Sequence, residues 1–216
     1  FAYDGNLHEV SGYSWEITDD PFFAAITDEP TAKDLYGEND FAYTGNAVAK
    51  RTHVSENGTE DGITTMSLDA AKFRNDNANF LVFFTILQDG AVKIDPATGV
   101  VVTVRGKTDT REYNGKPQEV SGYKTEIQKD GEPYGLYGDL DYTYTGTAKA
   151  TRTHVEENGS TDGTTWMKID KDLFSNTNKD FTEVAFLVED GWIKITPVKE
   201  PVKVTVNGLT DTRDYD

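Results

Sequence analysis

Three histidines, His8, His53 and His154, are the only imidazoles in a chain of 216 residues that has no cysteine. The missing thiols exclude disulfides, thiolate metal sites and cysteine nucleophiles. His53 and His154 stand at equivalent places in two copies of one repeat. A domain's length separates them, so they cannot share a metal ion, and they read as structural side chains on half-buried strands. His8 matches Gln118 in the other copy. No His-x-x-x-His pair, phosphate-cradling glycine loop or nucleophile elbow is present. Acids are close together at Asp19-Asp20 and Asp28-Glu29, but 38 acidic residues produce such pairs by chance. A glycosidase needs two facing carboxyls in a deep cleft, which a small domain of short strands rarely offers. The dense alternate-acid spacing of a calcium loop is missing, and Asn75-Asp76-Asn77 becomes Asn176-Thr177-Asn178, losing its acid. The expectation is a non-enzymatic chain with no catalytic residue, no cofactor and no metal.

Charge narrows the partners. The formal net charge is −17, and such a surface repels phosphate backbones and anionic lipid, which disfavours nucleic acid and membrane surfaces. No apolar run reaches membrane-spanning length, and no signal peptide is seen. The chain opens inside a repeat and reads as a piece of a longer, exported protein.

The elements that would position any functional side chain come in duplicate. Tyr3-Asp4-Gly5, with Val10-Ser11-Gly12-Tyr13 behind it, returns as Tyr113-Asn114-Gly115 with Val120-Ser121-Gly122-Tyr123. A third start, Asp214-Tyr215-Asp216, closes the chain. Residues 35–96 align without gaps to 136–197, with 30 identities in 62 positions, which is enough to expect one fold twice. The division expected is a first repeat domain at 1–98, a second at 99–199, and at 200–216 a linker with the first strand of a truncated third.

Each copy reads as mainly β (a β-rich α+β fold), short strands with one short helix, the two copies end to end. Asn57-Gly58 and Asn158-Gly159 are hairpin turns, since both residue types tolerate positive φ. Thr65-Met66-Ser67-Leu68 and Trp166-Met167-Lys168-Ile169 read as strands. Asp69 and Asp170 cap single helical turns that end on Phe73 and Phe174. Phe80–Leu87 is almost continuously apolar and suggests a central strand covered on both faces. Val92, Ile94, Ile193 and Ile195 should point inward. Pro96 and Pro201 stiffen short joints. Val102-Thr103-Val104 recurs as Val204-Thr205-Val206, so the strand between Val202 and Arg213 has no domain of its own. Its pairing with the first domain of a second molecule would join molecules head to tail.

The copies differ by nine residues added to the first between Tyr13 and Leu35, within about 14–34. Asp20-Pro21 is a helix start, with Phe22 and Ile26 on one face. Trp15, Phe22, Phe23 and Ile26 are the candidate protein-binding residues. One reading packs them on their own domain, and the other leaves some exposed as anchors rimmed by acids.

The Tyr-Asp-Gly heads, Val-Ser-Gly-Tyr, Tyr43-Thr44-Gly45 with Tyr144-Thr145-Gly146, and the closing Asp89-Gly90 to Pro96 and Asp190-Gly191 to Pro197 resemble the tandem YDG/MBG-type repeats of bacterial surface proteins. That resemblance covers nearly the whole chain and implies an extracellular segment, cell-wall-anchored or secreted, of Gram-positive or gut bacteria. It implies a stalk or adhesin whose partners are host or mucosal proteins or glycans. The alternative is a dedicated host-protein binder, for example an immunoglobulin-binding surface antigen, that uses the insertion or an exposed strand edge. A Lys–Asn isopeptide crosslink, known in such proteins, needs a buried acid beside the pair.

Overall fold

The computed structural model describes residues 1–18 and 32–215. The first copy contributes β1 (His8–Ser11), α1 (Ala32–Leu35), β2 (Phe41–Tyr43), β3 (Val48–Arg51), β4 (Ile63–Thr65), β5 (Phe73–Asn75) and β6 (Ala91–Lys93). The second copy, with the stretch leading into it, contributes β7 (Val100–Gly106), β8 (Thr108–Glu112), β9 (Gln118–Ser121), β10 (Tyr123–Lys129), β11 (Glu132–Pro133) and β12 (Tyr142–Tyr144). It continues with β13 (Lys149–Arg152), β14 (Thr164–Trp166), β15 (Phe174–Asn176), β16 (Ala185–Glu189) and β17 (Trp192–Thr196). The fold is β-rich, built from several small sheets with isolated 3-10 turns.

The same pairs form in both copies. β1 runs antiparallel to β3 from His8↔Arg51 to Ser11↔Val48, and β9 to β13 from Gln118↔Arg152 to Ser121↔Lys149. β2 pairs β5, and β12 pairs β15. β4 pairs β6 through Thr64↔Val92, and β14 pairs β17 through Thr165↔Ile193. Alternation along β6 and the residue after it, and along β17, buries Val92, Ile94, Ile193 and Ile195, as a period of two requires. The expected turns form, with Asn57 and Asn158 at φ 54 and 53. The Asp69 and Asp170 carboxylates accept from the N–H of Ala71 and Asp172, each capping one 3-10 turn.

Several expectations change. The strands expected to run on through Met66 and Met167 stop before them, at Thr65 and Trp166. Ser67 and Lys168 take φ 55 and 58, a left-handed step that breaks a ladder. Phe80–Leu87 is not covered on both faces. No strand is assigned over residues 80–86, and Leu81, Phe83 and Leu87 are 87, 84 and 93% exposed. Its side chains still alternate inward and outward, as an extended segment without a central partner must.

The second copy has strands that the described part of the first does not. β8 lies parallel to β17, from Trp192↔Thr108 to Thr196↔Glu112. β7 sits between β10 and β16, with Val102 and Val104 fully buried. Each such valine contributes about 1.5–3 kcal/mol of burial. The expected last strand is not paired. Residues 201–215 carry no strand and are exposed throughout.

The chain gathers into two compact units that do not follow the 98/99 copy boundary. One holds Phe1–Val100, Gln128–Tyr142 and Asn176–Ala185, the other Val101–Ile127, Thr143–Ser175 and Phe186–Asp216. Inside the first unit the stretch after Pro96 is a bonded element. Ala97 is buried, its N–H donates to the Asp180 carbonyl (2.8 Å), and its carbonyl accepts from Thr182 N–H (2.9 Å).

Candidate functional site

Two places in the first unit bring chemically interesting side chains together. The first is built on a buried arginine. β3 alternates Ala49 inward, Lys50 outward and Arg51 inward, so a cation enters the core. Arg51 is fully buried. Its Nε donates to the His53 carbonyl (2.7 Å), Nη1 to the Ile63 carbonyl (2.7 Å), Thr59 Oγ1 (2.8 Å) and Thr64 Oγ1 (3.0 Å), and Nη2 to the Val54 carbonyl (2.5 Å). Five donors in a rigid fork replace lost water with carbonyl and hydroxyl dipoles. The Glu56 carboxylate accepts from the N–H groups of His53 and Thr52 (2.9 and 2.8 Å), and these bonds hold it below the usual carboxylate range. The loop between β3 and β4 is thereby tied to its own arginine. Arg152 and Glu157 repeat the device in the second unit.

That loop presents His53. Its Nδ1 lies 2.6 Å from Asp180 Oδ2, and Asp180 Oδ1 accepts from Val54 N–H at 2.7 Å. Asp180 is the buried carboxylate among the described residues. The His53 ring rests against Tyr3 at 5.6 Å, and burial raises the Tyr3 hydroxyl above its ordinary range. Beside them opens a hollow of about 300 Å³ whose lining includes His53, Ser55, Asp141, Asn178 and Asp180. The imidazole is half exposed and the aspartate is spent on Val54 and His53. The arrangement works as a polar clasp between residues 53–54 and 180. His8 meets Asp4 at 3.0 Å, and the Asn6 N–H, with the histidine, brings that carboxyl down to about 2. Among the described residues no three His, Asp or Glu side chains converge to hold a metal ion. No described lysine is buried, and Asp180 faces a histidine rather than a Lys–Asn pair.

The second place is aromatic. Tyr13 packs edge-on to Phe73 and Tyr43, and Phe73 stacks on Phe84 at 5.2 Å. Trp15 meets Phe41 edge-on at 5.7 Å and is 46% exposed. Phe41 in turn contacts Phe84. Trp15 is therefore seated on its own unit on one side and open on the other. Phe22, Phe23 and Ile26, with the expected helix start at Asp20-Pro21, lie outside the described residues, so the structure does not bring the four candidates together. What the motifs did not single out is Arg51 and Arg152. The signal was available in the in–out–in alternation of Ala49-Lys50-Arg51 and Ala150-Thr151-Arg152.

Fold and site define a class: a β-rich chain of duplicated small units whose polar clusters tie loops down. No family model matches the chain, no curated protein matches it, and no solved structure matches it. Among the described residues no helix is long and apolar enough to cross a membrane.

Proposed function

We propose that the chain is a non-enzymatic structural and adhesive repeat segment of a bacterial cell-surface protein, of YDG/MBG type, which carries binding surface outside the cell. The observation that supports it is Trp15, anchored by one edge on Phe41 and 46% exposed, on a chain of net charge −17. A half-seated tryptophan on a rigid aromatic base is the side chain most often central to a protein interface. The polar groups that could react are instead engaged in holding loops. The partners under this reading are host or mucosal proteins or glycans. The alternative is a dedicated host-protein binder, such as an immunoglobulin-binding antigen, acting through the insertion within about 14–34 or an exposed strand edge. The test is capture from serum and mucus by the chain and by a variant whose residues 15–29 are replaced with the second copy's loop. Capture by the parent and loss in the variant supports the binder. Equal capture by both places adhesion elsewhere on the repeats. Reproducible glycan hydrolysis would overturn the non-enzymatic reading.

A further inference from the structure

Two of the chain's three tryptophans meet on one sheet of the second unit. β14, β17 and β8 lie side by side in that order, so β17 is bonded on both sides. Trp166 of β14 is the register partner of Trp192 of β17, and Trp192 that of Thr108 of β8. In the next row Thr164, Lys194 and Thr110 are matched in the same way. Residues directly opposite share a face, so these six form one surface. Ile193 and Ile195 point the other way and are fully buried, and the core therefore backs the surface. Met167 N–H donates to the Gly191 carbonyl (2.8 Å). The adjoining Trp166–Trp192 pair is thus of the non-hydrogen-bonded kind, whose side chains stand closest. Trp166 is 52% exposed. Thr108 and Thr110 are exposed too, and Trp192, Thr164 and Lys194 are half-buried.

The first unit has the same face without the aromatic pair. Thr65 stands at the place of Trp166 and Ala91 at that of Trp192, again as register partners. Thr65, Ala91 and Lys93 are exposed, so an open face belongs to both copies. The same pair of strands forms with threonine and alanine at these places, and packing therefore does not call for tryptophan. What the second copy adds is a pair of large rings held toward solvent, the mark of a surface that meets something.

Shape and charge choose the occupant. Three strands and two rows span about 10 Å by about 7 Å, the footprint of a pair of linked pyranose rings. The indoles offer apolar area, and the hydroxyls of Thr108, Thr110 and Thr164 with the Lys194 ammonium offer hydrogen bonds around it. A sugar ring with equatorial hydroxyls is divided in the same way, with C–H groups on its faces and polar groups on its perimeter. Lys194 stands next to Trp192 on this face and repels the cations that indoles otherwise attract. The net charge of −17 repels an anionic polymer, and equally a second copy of the chain. An uncharged partner meets neither penalty. We propose that this face of the second unit binds an uncharged, β-linked saccharide chain, with neighbouring rings laid flat on Trp166 and Trp192. The site goes beyond the reading built on Trp15. It uses no residue of the insertion, so failure of serum and mucus capture by residues 15–29 would leave it standing.

The test is calorimetric titration of the full chain with cellohexaose and N-acetylchitohexaose, and with polygalacturonate as the charged counterpart. The expected result is saturable binding of a neutral hexasaccharide below millimolar concentration, one site per chain, with a shift in tryptophan emission and no binding of polygalacturonate. Trp166→Ala, at an exposed position, should keep the thermal melt and weaken binding about tenfold or more. Trp166→Phe, which keeps a ring, should recover most of the affinity. Absence of binding by both hexasaccharides would overturn the proposal, and so would equal affinity in Trp166→Ala or a preference for polygalacturonate. Self-association of the parent chain that Trp166→Ala abolishes, read by sedimentation, would also overturn it, because a second copy would then cover the face.

Discussion

The closing strands of the two copies, residues 80–95 and 181–196, are close in sequence and different in state. The second stretch is built into two sheets: β16 lies beside β7 and β17 beside β8, with Ile193 and Ile195 fully buried. In the first copy β6 keeps its inward Val92 and Ile94, yet residues 80–86 form no strand. The difference does not come from the residues themselves, since Phe80–Leu87 is the more apolar of the two. It comes from the neighbour. A β-strand is completed by its partner, and an apolar run without one has nowhere to place half its side chains.

The largest expected effect separates these states directly. Val104→Asp puts a charge into a fully buried site of β7 and should cost several kcal/mol, or unfold the second unit outright. The matched Val206→Asp, on an exposed residue, should leave denaturant stability within about 0.5 kcal/mol at concentrations where the chain is monomeric. Urea unfolding of both variants reads this. Equal losses would mean that the tail is already packed in solution and would dissolve the comparison.

Next come the arginines, where the copies should agree. Arg51→Met and Arg152→Met each leave several buried carbonyls without donors. Each should cost about 3 kcal/mol, the scale of a broken buried polar network. Arg→Lys should recover little, because an ammonium cannot span carbonyls set out for a fork. A loss at one site alone would show that the two loops are not held by the same means.

Much of this was legible in the chain. The repeat, the Asn-Gly turns, the capped 3-10 turns and the inward Val92, Ile94, Ile193 and Ile195 follow from local chemistry that needs no distant partner. Phe80–Leu87 was not legible, because hydrophobicity states that a face wants cover and not whether a strand supplies it. The strand ends at Thr65 and Trp166 were hidden too. Ser67 and Lys168 are not residue types that announce a left-handed step. The His53–Asp180 clasp joins residues 127 positions apart. At the aligned place copy one has Asn79 instead of Asp180, and a gapless alignment of repeats has no way to mark a bond that crosses between them.

That clasp gives a third, smaller contrast. Asp180→Asn keeps the side chain's size but gives up its charge against His53 and its best acceptor for the buried Val54 N–H. It should cost about 1–3 kcal/mol. Among the described residues His154 shows no ring hydrogen bond, and its ring lies tilted against Tyr113 at 5.6 Å, so His154→Ala should cost less than His53→Ala. Thermal melts of the three variants would rank them. His154→Ala costing as much as His53→Ala would place the histidines' worth in their stacking on tyrosine, and not in the clasp.

The smallest effect belongs to a tyrosine of the first unit. Tyr137 is buried, and its hydroxyl is within bonding distance of the Asp141 carbonyl and Asn176 Oδ1 (3.1 Å each). Burial, with the nearby Asp141 charge, pushes it up to about 12 from an ordinary 10. The folded state therefore holds this proton more tightly than the unfolded chain does. Its contribution to stability is fully present below pH 10 and is lost as pH rises from there toward 12. Tyr36 has the same pair of partners in the first copy, the Asp40 carbonyl and Asn75 Oδ1 at 3.0 Å each, and is raised in the same direction. Tyr137→Phe should cost about 1 kcal/mol at neutral pH and should flatten the fall in stability between pH 10 and 12. Ultraviolet titration of phenolate would show one late-ionising tyrosine fewer in this variant. An unchanged late phase would move the raised group to another buried ring.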